Sequence, residues 1–169
     1  GKNCLMSPGD TLIVGNGTYV EAEIAMTVSG TQANPITIKA ENPLQAILSS
    51  TSSCNPNISL YADWITIDGI RSQVNAADVQ CPSGRNSASG AFVRIWNNNP
   101  GGTIKNCQVD ASSHRGVGIK SNSDNTLVEN CIMHSSLEGM GGANQVFRNN
   151  YIDTPDIWGD YFTSKGGAR

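Results

Sequence analysis

Apolar and polar positions repeat along residues 103–153 in one pattern written three times. The copies read Ile104-Lys-Asn-Cys-Gln-Val109-Asp110, Val128-Glu-Asn-Cys-Ile-Met133-His134 and Phe147-Arg-Asn-Asn-Tyr-Ile152-Asp153. In each, an apolar residue precedes a charge, an Asn and then a thiol or a second Asn, at offsets of 24 and 19 residues. A strand-like unit of that period buries its apolar side only by stacking on its neighbours, which is the condition for a solenoid. Equivalent side chains then fall above one another. The pattern predicts that Ile104, Val128 and Phe147 stack inside, as do Val109, Met133 and Ile152. Asn106, Asn130 and Asn149 are expected to form a ladder at a bend, bonding to one another and to backbone groups that the bend leaves unpaired. Lys105, Glu129 and Arg148 are expected on an outer face as alternating charges.

The rest of the chain reads as further short strands between turns. Pro8-Gly-Asp-Thr-Leu-Ile-Val14 leads from a turn into a strand, Gly15-Asn-Gly17 is a tight turn, and Thr18-Tyr-Val20 is extended again. Asn34-Pro-Ile-Thr-Ile-Lys39, Gln45-Ala-Ile-Leu48, Trp64-Ile-Thr-Ile-Asp-Gly-Ile70, Ala91-Phe-Val-Arg-Ile-Trp96 and Gly116-Val-Gly-Ile-Lys120 follow as strands. Residues 72–90 are rich in Ser, Asn, Ala and Gly and read as a long excursion. The only helical hint is a short capping turn near Glu21 to Ala25. Regular strands also suit a sandwich or barrel, but there successive strands have different neighbours and no reason to share a residue code. The expectation is one all-β domain over 1–169, with capping turns over about 1–50 and regular repeats over about 60–169.

Composition sharpens this picture. Gly (18 residues) suits many tight bends, since it tolerates positive φ. Charged residues make up 15% of the chain and the net charge is −3, with no basic stripe, so nucleic acid is not an expected partner. No run of 18 apolar residues exists to suggest a membrane span. None of the five cysteines stands in a zinc-type spacing. Cys54 and Cys81 flank a polar stretch and are a plausible disulfide. Cys107 and Cys131 share one place in successive repeats, either bonded or as a buried thiol stack, and Cys4 is left over. The sequons at Asn16 and Asn57, with the cysteines, point to a secreted glycoprotein.

The opening Pro-Gly-Asp-Thr-Leu-Ile-Val-Gly-Asn-Gly-Thr-Tyr (8–19), the Ile65-Thr-Ile-Asp-Gly-Ile70 strand and the Asn-Cys/Asn-Asn repeats resemble the superfamily that includes pectate lyases, chondroitinase B and related alginate lyases. Residues 30–43, Gly-Thr-Gln-Ala-Asn-Pro-Ile-Thr-Ile-Lys-Ala-Glu-Asn-Pro, are similar to the chondroitinase B and alginate lyase branch in particular. The resemblance spans nearly the whole chain. It implies a right-handed, single-stranded parallel β-helix of about six to seven turns. It is specific for fold, because such solenoids serve as lyases, hydrolases, epimerases, adhesins and inert scaffolds. Enzymes of this fold are generally longer, and Thr163-Ser-Lys-Gly-Gly-Ala-Arg169 reads as the middle of a turn. The expectation is therefore a truncated solenoid whose open end invites a second copy or a partner chain.

The resemblance also implies a chemistry. A polysaccharide lyase needs a base for the proton α to a uronate carboxylate, and positive charge to stabilise the enolate-like state. In that branch an acidic Ca²⁺ ligand lies a few residues before a catalytic Lys, a spacing that Asp160 and Lys165 match, with Asp156 nearby as a second ligand. Trp158 stands where the branch commonly has another acidic ligand. Arg169 is a candidate substrate-binding residue, although the branch's catalytic Arg usually comes later. Independently, the repeat register stacks Asp110, His134 and Asp153, a His between carboxylates suited to acid, base or metal-ligand work, or to a surface ladder. Trp96 and Trp158, at strand ends, are candidates for stacking on sugar rings, and Lys120 is expected to share a face with Lys165. Two functions follow. One is a lyase, or part of one, acting on an acidic polysaccharide with calcium as its cofactor. The other is a non-catalytic structural or glycan-binding solenoid of a larger extracellular assembly or fibre. A hydrolase of the polygalacturonase type would need Asp residues clustered on one strand face, which the spacing does not show.

Overall fold

The structure is a computed structural model. It describes residues 5–21, 24–50, 58–74, 93–95, 98–110, 117–134, 136–140, 142–153 and 162–165. Six successive turns of chain each contribute three strands. The first turn holds β1 (Thr11–Val14), β2 (Gly17–Glu21) and β3 (Ile24–Met26), and the second β4 (Ile36–Ala40), β5 (Ala46–Ser50) and β6 (Ile58–Leu60). The third holds β7 (Ile65–Asp68), β8 (Arg71–Val74) and β9 (Val93–Ile95), and the fourth β10 (Thr103–Lys105), β11 (Gln108–Asp110) and β12 (Val117–Ser121). The fifth holds β13 (Leu127–Glu129), β14 (Ile132–Met133) and β15 (Ser136–Met140), and the sixth β16 (Val146–Arg148), β17 (Tyr151–Ile152) and β18 (Phe162–Lys165).

Every strand pairs in parallel with the strand three places along the chain, giving three six-stranded sheets. Sheet A runs β1-β4-β7-β10-β13-β16, sheet B β2-β5-β8-β11-β14-β17, and sheet C β3-β6-β9-β12-β15-β18. This is the architecture of a right-handed parallel β-helix, as the repeat requires. No described helix is long and apolar enough to cross a membrane.

The register follows the sequence pattern. Ile104 lies opposite Val128, and Val128 opposite Phe147. The column extends back through Ile67 and Ile38 to Leu12. On sheet B, Val109, Met133 and Ile152 stack likewise. These columns are the core: Ile38, Ile67, Ile104, Val128, Val109 and Met133 are all buried, and Phe147 and Ile152 close it partly at the last turn. The outer face of sheet A carries Lys39, Asp68, Lys105, Glu129 and Arg148 in one register column of alternating sign. Arg148 pairs with Glu129 at 2.7 Å, and Lys105 with Asp68 at 3.7 Å.

Two expectations are corrected. The capping turn near Glu21 to Ala25 is strand at both ends, since β2 runs to Glu21 and β3 begins at Ile24. The amide ladder of Asn106, Asn130 and Asn149 is a ladder of backbone conformation instead. All three sit at φ +54°, in column with Gly69 at +71°. Asn is chosen there because it tolerates the left-handed region that a sharp A-to-B corner demands. The amide of Asn106 donates to Asp68 Oδ1 at 2.7 Å rather than to Asn130. A true side-chain amide ladder occurs at the C-to-A corner, where Asn144 Nδ2 donates to Asn125 Oδ1 at 3.2 Å.

Cys107 and Cys131 sit just inside the A-to-B corner as free, buried thiols, so the stack expected of them is unbonded. Burial raises the Cys107 thiol well above its ordinary range, and Cys131 beside it adds to the rise. Cys131 is lowered by its hydrogen bond with Cys107, against the effect of burial. Asn150 replaces the thiol in the next turn. Its Oδ1 accepts the Cys131 N–H at 3.0 Å and its Nδ2 donates to the Val128 carbonyl at 3.0 Å.

Candidate functional site

The outward face of sheet B gathers polar side chains that bond to one another across successive turns. β8, β11, β14 and β17 bring Arg71, Gln108, Ile132 and Tyr151 into one register column. The adjacent column on the same face holds Asp110 and then His134 and Asp153, the residues that follow β14 and β17. Alternation turns these outward, because the residues between them, Ser72, Val109 and Met133, are buried.

The polar groups engage one another. Arg71 donates from Nε and Nη2 to Asp110 Oδ2, both at 2.5 Å, and Gln108 Nε2 donates to Asp110 Oδ1 at 2.6 Å. His134 Nδ1 lies 2.8 Å and 2.9 Å from the two carboxylate oxygens of Asp153. Its Nε2 faces Asp110 Oδ1 at 3.8 Å, beyond hydrogen-bond length. The sequence thus foresees the Asp–His–Asp stack, whereas the Arg71 anchor beneath it falls outside the repeat and is missed. Among the described residues no group of three or more His, Cys, Asp or Glu side chains is placed to hold a metal.

The other candidates do not join this cluster. Lys165 ends β18 on sheet C, opposite Met140 at the end of β15. His134 lies before the start of β15, so the five residues of that strand, about 16 Å, separate the two positions. Lys120 pairs in register with Glu138, which pairs with Thr163. It therefore stands two turns and two residues from Lys165, at a position of the same parity. Asn16 is exposed at the first A-to-B corner, where its Oδ1 accepts from Asn42 Nδ2 at 3.1 Å. Trp64 is half-buried at φ +55° on the C-to-A corner rather than in the core. Trp96, Asp156, Trp158, Asp160, Arg169, Cys54, Cys81 and Asn57 lie outside the described residues.

Comparison with known proteins agrees with the architecture. Residues 4–75 match the chondroitinase B family. The chain is similar in structure to a family 6 polysaccharide lyase from Pseudopedobacter saltans, with a TM-score of 0.54 and 16% identity over 94% of this chain and 32% of that one. A mannuronic acid-specific family 6 lyase from human gut microbiota aligns with a TM-score of 0.48 and 19% identity over 80% of this chain and 32% of that one. The chain thus spans about a third of the length of these enzymes. Among curated proteins none matches it. At 16% identity the first of these likenesses supports the β-helix fold alone.

Proposed function

We propose that this chain is a carbohydrate-active β-helix of a secreted polysaccharide lyase, acting by β-elimination on an acidic, uronate-containing polysaccharide. The observation that carries the reading is the match of residues 4–75 to chondroitinase B, on a solenoid whose sheet C continues to Lys165. Elimination needs a base at the α-proton and positive charge near the carboxylate. In this reading Lys165 is the base and Arg169 a substrate contact. Asp156 and Asp160 are the ligands of a calcium ion that would supply the neutralising charge. Trp96, Trp158 and Lys120 hold the sugar chain. Asn16 and Asn57 carry glycans, and at Asn16 the atom a glycan joins, Nδ2, is not used in the bond from Asn42.

The geometry of His134 suits positioning more than proton removal. Nδ1 bonds Asp153 of the sixth turn while Nε2 only faces Asp110 of the fourth at 3.8 Å, so the imidazole ties the fifth turn to the sixth. The mutual pairing of Arg71, Asp110, His134 and Asp153 also favours the second reading, a glycan-binding solenoid without catalysis. Incubation with alginate, pectate and dermatan sulfate, with and without Ca²⁺, separates the two. The ultraviolet absorbance of unsaturated uronate should rise with one substrate and stay flat in Lys165→Ala. Loss of turnover in His134→Gln at unchanged thermal stability would move the base to sheet B.

A further inference from the structure

We propose that the outward face of sheet B is a second carbohydrate-binding surface, shaped for a weakly charged pyranose chain rather than a polyuronate. It rests on the geometry of that sheet and is independent of the elimination reading.

Tyr151 is 60% exposed and Ile132 40% exposed, side by side on adjacent turns. Parallel strands lie about 4.8 Å apart, so the two form a continuous apolar strip along the solenoid axis. Each is flanked on the same face by polar groups. His134 and Asp153 stand in the next column, and Gln108 and Arg71 continue the column of Ile132. A pyranose ring presents the same two chemistries, an apolar C–H face and a rim of hydroxyls. An aromatic ring takes the first. Planar carboxylate, amide and guanidinium groups take paired hydroxyls.

The polar groups are held before any ligand arrives. Asp110 fixes Arg71 and Gln108, and Asp153 fixes His134. A surface ordered in advance loses little side-chain freedom on binding. Charge selects the ligand. The face sets the carboxylates of Asp110 and Asp153 against one guanidinium and one imidazole. Among the described residues it offers no surplus positive charge to a polyuronate and no barrier to a neutral chain. The surface also stands on a different side of the solenoid from Lys165, which is on sheet C.

Affinity electrophoresis of the natural polypeptide through gels containing hydroxyethyl cellulose or galactomannan, with alginate as the charged comparison, tests this. Retardation by a neutral polymer is expected. Tyr151→Ala should weaken it roughly tenfold, the loss of one stacked ring. Tyr151→Phe and Lys165→Ala should retain it, each variant being checked for an unchanged thermal melt. No retardation by either neutral polymer overturns the proposal, as does binding that survives Tyr151→Ala. Because Lys165→Ala abolishes elimination in the proposed function but leaves this binding intact, the two readings fail separately.

Discussion

Asn150 stands where the two preceding repeats have a thiol, and its amide does what a thiol cannot. It accepts the Cys131 N–H and donates to the Val128 carbonyl, two backbone groups stranded where the chain turns its corner. Asn150→Ala leaves both unpaired in a half-buried site, so a loss of about 1–3 kcal/mol is expected in urea unfolding. One residue earlier in the repeat the constraint is conformational. Asn130 sits at φ +54°, where an alanine is strained by about 1–2 kcal/mol and a glycine is not. Asn130→Ala should therefore lower the melting temperature more than Asn130→Gly. The thiols below set a pH limit. Cys107 is raised in the folded state, so its contribution is complete below the unfolded thiol value, about 8.5, and is lost as pH climbs through the folded value. The lowered Cys131 offsets part of this. The melting temperature should fall as pH rises above about 8.5 in the native chain and less steeply in Cys107→Ala.

Elements were legible in proportion to how strictly they alternate. β4, β7 and β10 to β14 carry apolar residues at inward positions of the repeat, and the pattern locates them to within a residue or two. β8 reads in sequence as the start of a polar excursion because Arg-Ser-Gln-Val places a serine at its inward, buried position. β6 is hidden because Ile58-Ser-Leu60 is only three residues long and overlaps a sequon. The C-to-A corner was missed for a related reason. There the core turns polar: buried Gln145 donates to the Ser121 and Ser123 carbonyls, and Ser121 and Thr126 share a 2.7 Å hydrogen bond. Polar residues in sequence read as loop, and only the fold shows that these bond to one another. Gly142 packs against this cluster so closely that an added Cβ would lie 2.2 Å from the Ser123 carbonyl oxygen. Backbone cannot yield as a side chain can, so Gly142→Ala should cost about 1–3 kcal/mol in the same unfolding experiment. The exposed Arg148–Glu129 pair provides the contrast, and Arg148→Ala should change stability by less than about 1 kcal/mol.

At the scale of the molecule, repetition makes architecture readable and chemistry obscure. A residue code that recurs every turn announces the solenoid, because stacking is the only way each turn buries its apolar side. A site uses residues that depart from the code. The Asp110–His134–Asp153 stack was foreseen because it keeps the register. Its anchor Arg71 lies outside the repeat and follows from three-dimensional neighbourhood alone. The role proposed for this solenoid is in a uronate-eliminating enzyme. Its most direct test is the ultraviolet absorbance of unsaturated uronate when the natural full-length polypeptide meets alginate, pectate or dermatan sulfate in the presence of Ca²⁺. A steady rise with one of them is expected, abolished by Lys165→Ala in a protein that melts as the native one does. A flat trace from the folded polypeptide with all three, or a rise that Lys165→Ala leaves unchanged, would contradict it.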